Sequence, residues 1–231
     1  MGCLVGGVDK LSFRSASLPW GSVSGRTAGM KEYEAAMKEY EAAMKAAETQ
    51  KKKIKTARPV RPDVVKEILK VMTDQVRPDY KKQSMDTPCL ANRQRVYWSG
   101  GAAWATATFT HPEWALDGWV IISKTDLNGF LARLKDGTWN QGEMRITFPI
   151  AKPQTPQMQT KIRDQAAKDR ADVQNVFSRE DLVSGVSIMK TILEVSNPTA
   201  LVQFVRNGNF IDGYALEQYR ADRESAKASG R

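Results

Sequence analysis

Hydrophobic positions along this chain first recur at a helical spacing, in a literal repeat. Residues 30–36 read MKEYEAA, residues 37–43 repeat them letter for letter, and residues 44–50 continue as MKAAETQ. With Met30 at heptad position a, Met37 and Met44 are also a, while Tyr33, Tyr40 and Ala47 are d. A stripe recurring every 3.5 residues on average is the seam of a helix that packs along its length. Glu34–Lys38 and Glu41–Lys45 add i,i+4 pairs in the favourable order, each contributing roughly 0.2–0.5 kcal/mol. The pattern predicts a charged helix over about 30–55, on the order of 37 Å long if 30–54 are all helical. Met, Tyr and Ala make a weaker dimer seam than Leu and Ile, so packing on the chain's own domain, on a different subunit or on a second copy all stay open.

After the repeat the spacing changes. Asp63 follows Pro62 and begins a helix with Val64, Val65, Ile68, Leu69, Val71, Met72 and Val76 on its apolar face, stopped at Arg77-Pro78-Asp79. Residues 79–95 read as loop. Then come strand-like runs: Arg95 to Trp98, the alternating Ala103 to Thr110, Gly118 to Ser123 and Glu143 to Phe148. A short helix, capped near Thr125-Asp126, carries Leu127, Phe130, Leu131 and Leu134. Beyond a Pro-containing linker at 151–160, residues 158–175 form a charged helix with a thin apolar stripe. Ser178-Arg179-Glu180-Asp181 then resembles a capping box ahead of an apolar helix through Leu182, Val186, Met189 and Leu193. A short helix carrying Leu201, Val202, Phe204 and Val205 follows, and an amphipathic helix from Tyr214 to about Ala226 ends the pattern.

These elements predict an α+β fold: a small, mostly antiparallel sheet over about 93–149, flanked by N-terminal and C-terminal helices, with a flexible N-terminal arm and a long charged helix. The expected organisation is an arm or targeting segment at 1–29, the heptad-like helix plus basic strip at 30–62, an α+β domain at 63–149 and a helical region at 150–231. Residues 1–29 are rich in Ser and Gly, with Asp9 as their one acid. They read as an arm that orders against a neighbouring subunit, as a disordered tail or as an organelle transit peptide. Trp20 in this polar setting suits a plug for a partner's pocket.

Charge narrows the expected partners. The chain carries a formal net charge of +9, and Lys51, Lys52, Lys53, Lys55, Arg58 and Arg61 fall within 51–62 without an acid. Arg58-Pro59 and Arg61-Pro62 are held extended, because a residue before proline is pushed out of the helical region. An extended basic strip can follow a phosphate backbone and release its counterions, or can meet an acidic protein. Cys3 and Cys89 are far apart and no metal-ligand spacing exists, so neither a disulfide framework nor a metal site is expected and a reducing compartment fits. That compartment is the cytoplasm or a virion, or an organelle if 1–29 is an address. No apolar run approaches the roughly 20 residues that span a bilayer.

Candidate chemistry is sparse. His111 is the single histidine, in a turn beside Pro112 and Glu113. No nucleophile elbow, Walker loop or dinucleotide fingerprint occurs, so no catalytic residue and no cofactor are assigned. Trp98, Trp104, Trp114 and Trp119, with Tyr97, Phe109 and nearby Arg93, Arg95 and Arg145, are either core or a platform on which bases stack. The sequence therefore points to a structural or interaction subunit of a larger, nucleic-acid-associated assembly of the virion, nucleocapsid or ribonucleoprotein kind. Its phosphate contacts are expected at Lys51, Lys52, Lys53, Lys55, Arg58 and Arg61, and its partner contacts at Trp20, Met30, Tyr33, Met37, Tyr40 and Met44. The alternatives are an organelle-targeted accessory subunit of a protein complex and a small enzyme with an unrecognised site.

Overall fold

A computed structural model describes residues 2–5, 12–15, 20–49, 57–86, 95–149, 154–196 and 201–205. Helices dominate among the described residues, and the strands are short. The α+β expectation is thereby corrected: the fold is mostly helical, and the expected antiparallel sheet over 93–149 does not form. The chain divides into two compact units, residues 1–92 with 178–196, and residues 93–177 with 197–231.

The first unit begins with two short antiparallel strands, β1 (Gly2–Val5) and β2 (Ser12–Ser15). Helix α1 spans Ser22–Thr49, starting eight residues before the repeat does. Its early turns carry Gly25 and Gly29, spaced four apart and so on one helix face. A Cβ at Gly25 would lie 2.2 Å from Ser184 Oγ, and one at Gly29 would lie 3.0 Å from the Ile68 amide nitrogen. Glycines that look like loop composition in the sequence are thus close-approach positions in a helix. Residues 51–56, the expected C-terminal end of this helix, lie outside the described residues.

Helix α2 (Val64–Val71) begins where expected: Asp63 Oδ1 accepts from the Val65 and Lys66 amides, satisfying two donors a helix start leaves orphaned. The helix does not stop at Pro78. A π-helical turn, Met72–Val76, leads into α3 (Arg77–Asp86), and the Arg77 amide bonds to the Met72 carbonyl five residues back. Widening the helix by one residue just before the proline offsets the missing donor and the ring clash that would otherwise break it. Helix α7 (Arg179–Ser196) completes the unit, with Leu182, Val183, Val186, Met189 and Leu193 buried alongside Ile68, Val76 and Tyr80. Each such side chain contributes roughly 1.5–3 kcal/mol relative to exposure. Its start shows one half of the expected capping box: Ser178 Oγ accepts from the Asp181 amide at 3.1 Å, and it also donates to Asp181 Oδ2 at 2.6 Å. Asp181 also receives Arg26 of α1 at 3.1 Å. Glu194 receives both Lys190 and Arg77. Burial acts to raise the Glu194 pKa, but hydrogen bonds from Lys190 and Arg77 outweigh it and hold the carboxyl below its ordinary value.

In the second unit the corrections concentrate. Ala103 to Thr110, which alternates like a strand, lies in helix α4 (Gly101–Thr110). Its alanines favour helix, and the Thr106 and Thr110 hydroxyls donate to carbonyls four residues back, at 2.8 and 2.7 Å. Residues 143–149 alternate in burial but form no strand. Met144, Ile146 and Phe148 pack instead on a cluster of Ala115, Ile162 and Ala166, so a helix surface satisfies the period-two pattern. The two strands described within 93–149, β3 (Arg95–Trp98) and β4 (Trp119–Ile122), do not pair with each other. Each borders β5 (Leu201–Val205), in parallel and antiparallel pairing respectively, where the sequence suggested helix. The expected helix from Tyr214 lies outside the described residues.

Helix α5 (Lys124–Asp136) has Ser123 as its N-cap, two residues ahead of the expected cap, and ends at Gly137 with φ +75°. A 3-10 turn, Pro112–Trp114, joins α4 towards β4, and α6 (Pro156–Val176) packs on both α4 and that turn. Phe109 stacks on Phe130 with centroids 5.4 Å apart and meets Trp139 edge-on at 5.3 Å. These rings form a second packing centre of the unit beside the buried Val120, Ile122 and Phe204 of its strands.

Candidate nucleic-acid interface

Of the six cations expected to meet phosphate, Arg58 and Arg61 are described; Lys51, Lys52, Lys53 and Lys55 lie outside the described residues. Residues 57–63 have no helix or strand. Arg58 and Arg61 are exposed, and Pro59 and Pro62 are half-buried, so one Arg-Pro step repeats after three residues with the same facing. Pro59 and Pro62 line a groove of about 450 Å3 with Gly29 and Tyr33 from α1, Glu67 from α2 and Asp74 from the π turn. The prolines seat the segment and the arginines face outward. Neither arginine forms an ion pair or hydrogen bond within the described residues. Both keep their full set of donors for a partner.

The residues expected to contact partners divide into two groups. Trp20 donates its indole N–H to Asp79 Oδ2 at 2.7 Å, and Met30 is buried, so both take part in the packing of the first unit. Tyr33 is half-buried in the groove beneath the prolines. Met37 and Tyr40 are half-buried, and Met44 is exposed, along the later turns of α1. In the second unit the aromatic residues are dispersed rather than gathered on one face: Trp104 meets Phe177 edge-on and Phe109 is taken up by Phe130 and Trp139.

His111 caps the C-terminus of α4 and is gripped from both sides. Its Nδ1 lies 3.0 Å from Glu113 Oε1 and its Nε2 lies 3.0 Å from Asp126 Oδ2. Two carboxylate acceptors require a donor on each ring nitrogen, which is the imidazolium form. The Glu113 hydrogen bond raises the imidazole pKa above its ordinary value, opposed by burial and reinforced by Asp126. Burial works against the Asp126 charge, yet bonds from the Ser123 hydroxyl, from His111 and from the Ser123 amide outweigh it and hold that carboxyl below its ordinary value. Asp126 thus closes the capping box of α5 and ties it to the end of α4.

The order of groups is Ser123–Asp126–His111, with the carboxylate in the middle. A serine nucleophile needs the imidazole beside it, so this arrangement is a clamp between two helices and not a Ser-His-Asp triad. Sequence reading found His111 and Glu113 and placed Asp126 at a cap, but did not join Asp126 to His111. The missed signal was Ser123-x-x-Asp126, a capping pattern that places a carboxylate at a helix start.

The clamp sets a pH dependence. The raised His111 pKa contributes stability below about pH 6.5 and loses it as pH rises through the folded value. The lowered Asp126 pKa contributes above about pH 3.8 and loses it as pH falls through the folded value. His111→Gln is therefore expected to cost on the order of 1–2 kcal/mol near pH 5, with the difference from the parent shrinking towards pH 8. Denaturant unfolding of both proteins at the two pH values checks this. A difference that grows with pH would refute the clamp.

Among the described residues no cluster of His, Cys, Asp and Glu could hold a metal ion, and no helix is long and apolar enough to cross a membrane. No family model, curated protein or solved structure matches the chain.

Proposed function

We propose that this chain is a non-catalytic, structural subunit of a nucleic-acid-associated assembly, of the nucleocapsid, virion or ribonucleoprotein kind, in which segment 51–61 contacts phosphate without reading base sequence. The observation that carries this reading is the outward pair Arg58 and Arg61, without an ion pair among the described residues, on a segment seated by Pro59 and Pro62. Cations held on a pre-extended backbone lose little conformational freedom on meeting a second charged chain. Met37, Tyr40 and Met44 on the later turns of α1 offer the contact surface for neighbouring subunits.

The organelle-targeted alternative gains nothing from the fold. Removal of an address near residues 27–30 would take Trp20, Gly25 and Arg26 out of the packing of the first unit. The enzyme alternative is weakened by the order of groups at His111.

The test is the nucleic-acid content and size of the native protein after purification, compared with a variant in which Lys51, Lys52, Lys53, Lys55, Arg58 and Arg61 are all glutamine. The parent is expected to carry nucleic acid and the variant to lose most of it while unfolding at the same denaturant concentration. Nucleic-acid-free parent protein, or equal content in the two, would overturn the reading.

A further inference from the structure

We propose that the cleft lined by α4, α5, the 139–147 segment and α6 in the second unit is a binding site for a phosphate group. This does not rest on the reading of segment 51–61, which belongs to the other unit.

The cleft has a volume of about 330 Å3 and draws Arg133, Arg145 and Arg170 from three separate parts of the chain. None of the three has a carboxylate within ion-pair distance among the described residues. What holds them is uncharged. Arg133 Nη2 donates to the Phe109 carbonyl at 2.9 Å, and its guanidinium lies 5.5 Å from the centre of the Phe130 ring. Arg170 Nη2 donates to the carbonyls of Asn140 and Gly142, each at 3.0 Å, and lies 5.5 Å from the centre of the Phe109 ring. Since Phe109 and Phe130 stack, the rings and the two guanidiniums support one another and fix both cations in place. Burial, with the charge of Arg170 added, lowers the Arg133 pKa, in keeping with two cations held close together without a carboxylate partner among the described residues. Glu113 and Glu143 also line the cleft; Glu113 is engaged by His111, and Glu143 is exposed.

A second observation is independent of charge. Thr108 lines the cleft, is 4% exposed, and has a hydroxyl without a hydrogen-bond partner. Its helix neighbours Thr106 and Thr110 both satisfy their hydroxyls on carbonyls four residues back, so this one departs from the local rule. Leaving a buried hydroxyl unpaired is costly unless something fills it. A phosphate oxygen does, with the guanidinium forks supplying bidentate donors around it.

Recognition stops at the phosphate. Trp139 is 6% exposed, and the faces of Phe109 are taken by Phe130 and Arg170, so no ring is left on which a base could stack. The phosphate comes either from a nucleic-acid backbone or from a free phosphorylated small molecule.

The test is calorimetric titration of the full chain with inorganic pyrophosphate at constant ionic strength, repeated in the presence of a short single-stranded oligonucleotide. Saturable binding at one site per chain is expected. Arg145→Gln, an exposed residue without an ion pair among the described residues, is expected to weaken it about tenfold. Thr108→Val, which keeps the shape and removes the hydroxyl, is expected to weaken it by a smaller factor. Neutralising the six cations of 51–61 is expected to leave pyrophosphate binding unchanged, so failure here and failure of the strip are read separately. If the oligonucleotide competes, the phosphate belongs to a nucleic acid; if pyrophosphate binds and the oligonucleotide does not compete, it belongs to a small molecule. Absence of saturable binding, or binding indifferent to both substitutions, would overturn the site.

Discussion

Phe130→Ala is expected to cost about 3–5 kcal/mol, a large part of the roughly 5–15 kcal/mol that stabilises a typical domain. Phe130 is fully buried on α5 and stacks on Phe109, which in turn meets Trp139. Truncation removes transfer energy and leaves a void beside Phe109, whose ring Arg170 and Trp139 still hold, so the site can collapse only partly. Denaturant unfolding followed by near-ultraviolet circular dichroism measures the loss. Val176→Ala, at a position 65% exposed, serves as the comparison and is expected to change stability by about 0.5 kcal/mol or less. A loss below about 1 kcal/mol for Phe130→Ala would mean that the aromatic cluster does not anchor the second unit.

The other large effect lies in the first unit, where α1 approaches α2 across Gly29. A side chain there would meet main-chain atoms, the Ile68 nitrogen at 3.0 Å and the Glu67 carbonyl carbon at 3.2 Å, which cannot rotate aside. Gly29→Val is expected to push the helices apart and cost about 1–3 kcal/mol. In an ordinary helix the removal of a glycine has the reverse sign. Gly129, on the exposed face of α5 with nothing within 4 Å of its Cβ position, supplies that comparison: Gly129→Ala is expected to stabilise by about 0.5–1 kcal/mol. Thermal unfolding of the two variants should therefore move in opposite directions. Movement in the same direction would show that Gly29 is not a close-approach position.

What was legible in the sequence was what local chemistry decides. Asp63 and Ser178 with Asp181 could be read as caps because a cap involves residues two or three apart. The helices 156–176 and 179–196 followed from runs long enough to show a helical period. The misreadings came where a long-range contact decides. Gly25 and Gly29 have the composition of an arm, and only the arrival of Ser184 and the Ile68 backbone makes them packing positions. Ala103 to Thr110 alternates like a strand, but small side chains and hydroxyls that bond back to the main chain admit a helix equally well. Pro78 stops a regular helix and not one that has already widened into a π turn. Leu201 to Val205 is β-branched enough for either state, and pairing with Arg95–Trp98 and Trp119–Ile122 selects the strand.

The site was partly legible for the same reason. Arg58 and Arg61 stand out because their neighbours are prolines and lysines. Arg133 and Arg170 sit in helices among ordinary charges, and only folding brings them to one cleft with Arg145. The most direct measurement for the nucleic-acid reading is the salt dependence of oligonucleotide binding by the full chain. If all six cations of 51–61 meet a single strand, the plot of log affinity against log salt should fall with a slope of roughly −4, flattening in the six-fold glutamine variant and indifferent to base composition. A slope near zero in the parent, or one unchanged by the variant, would contradict it.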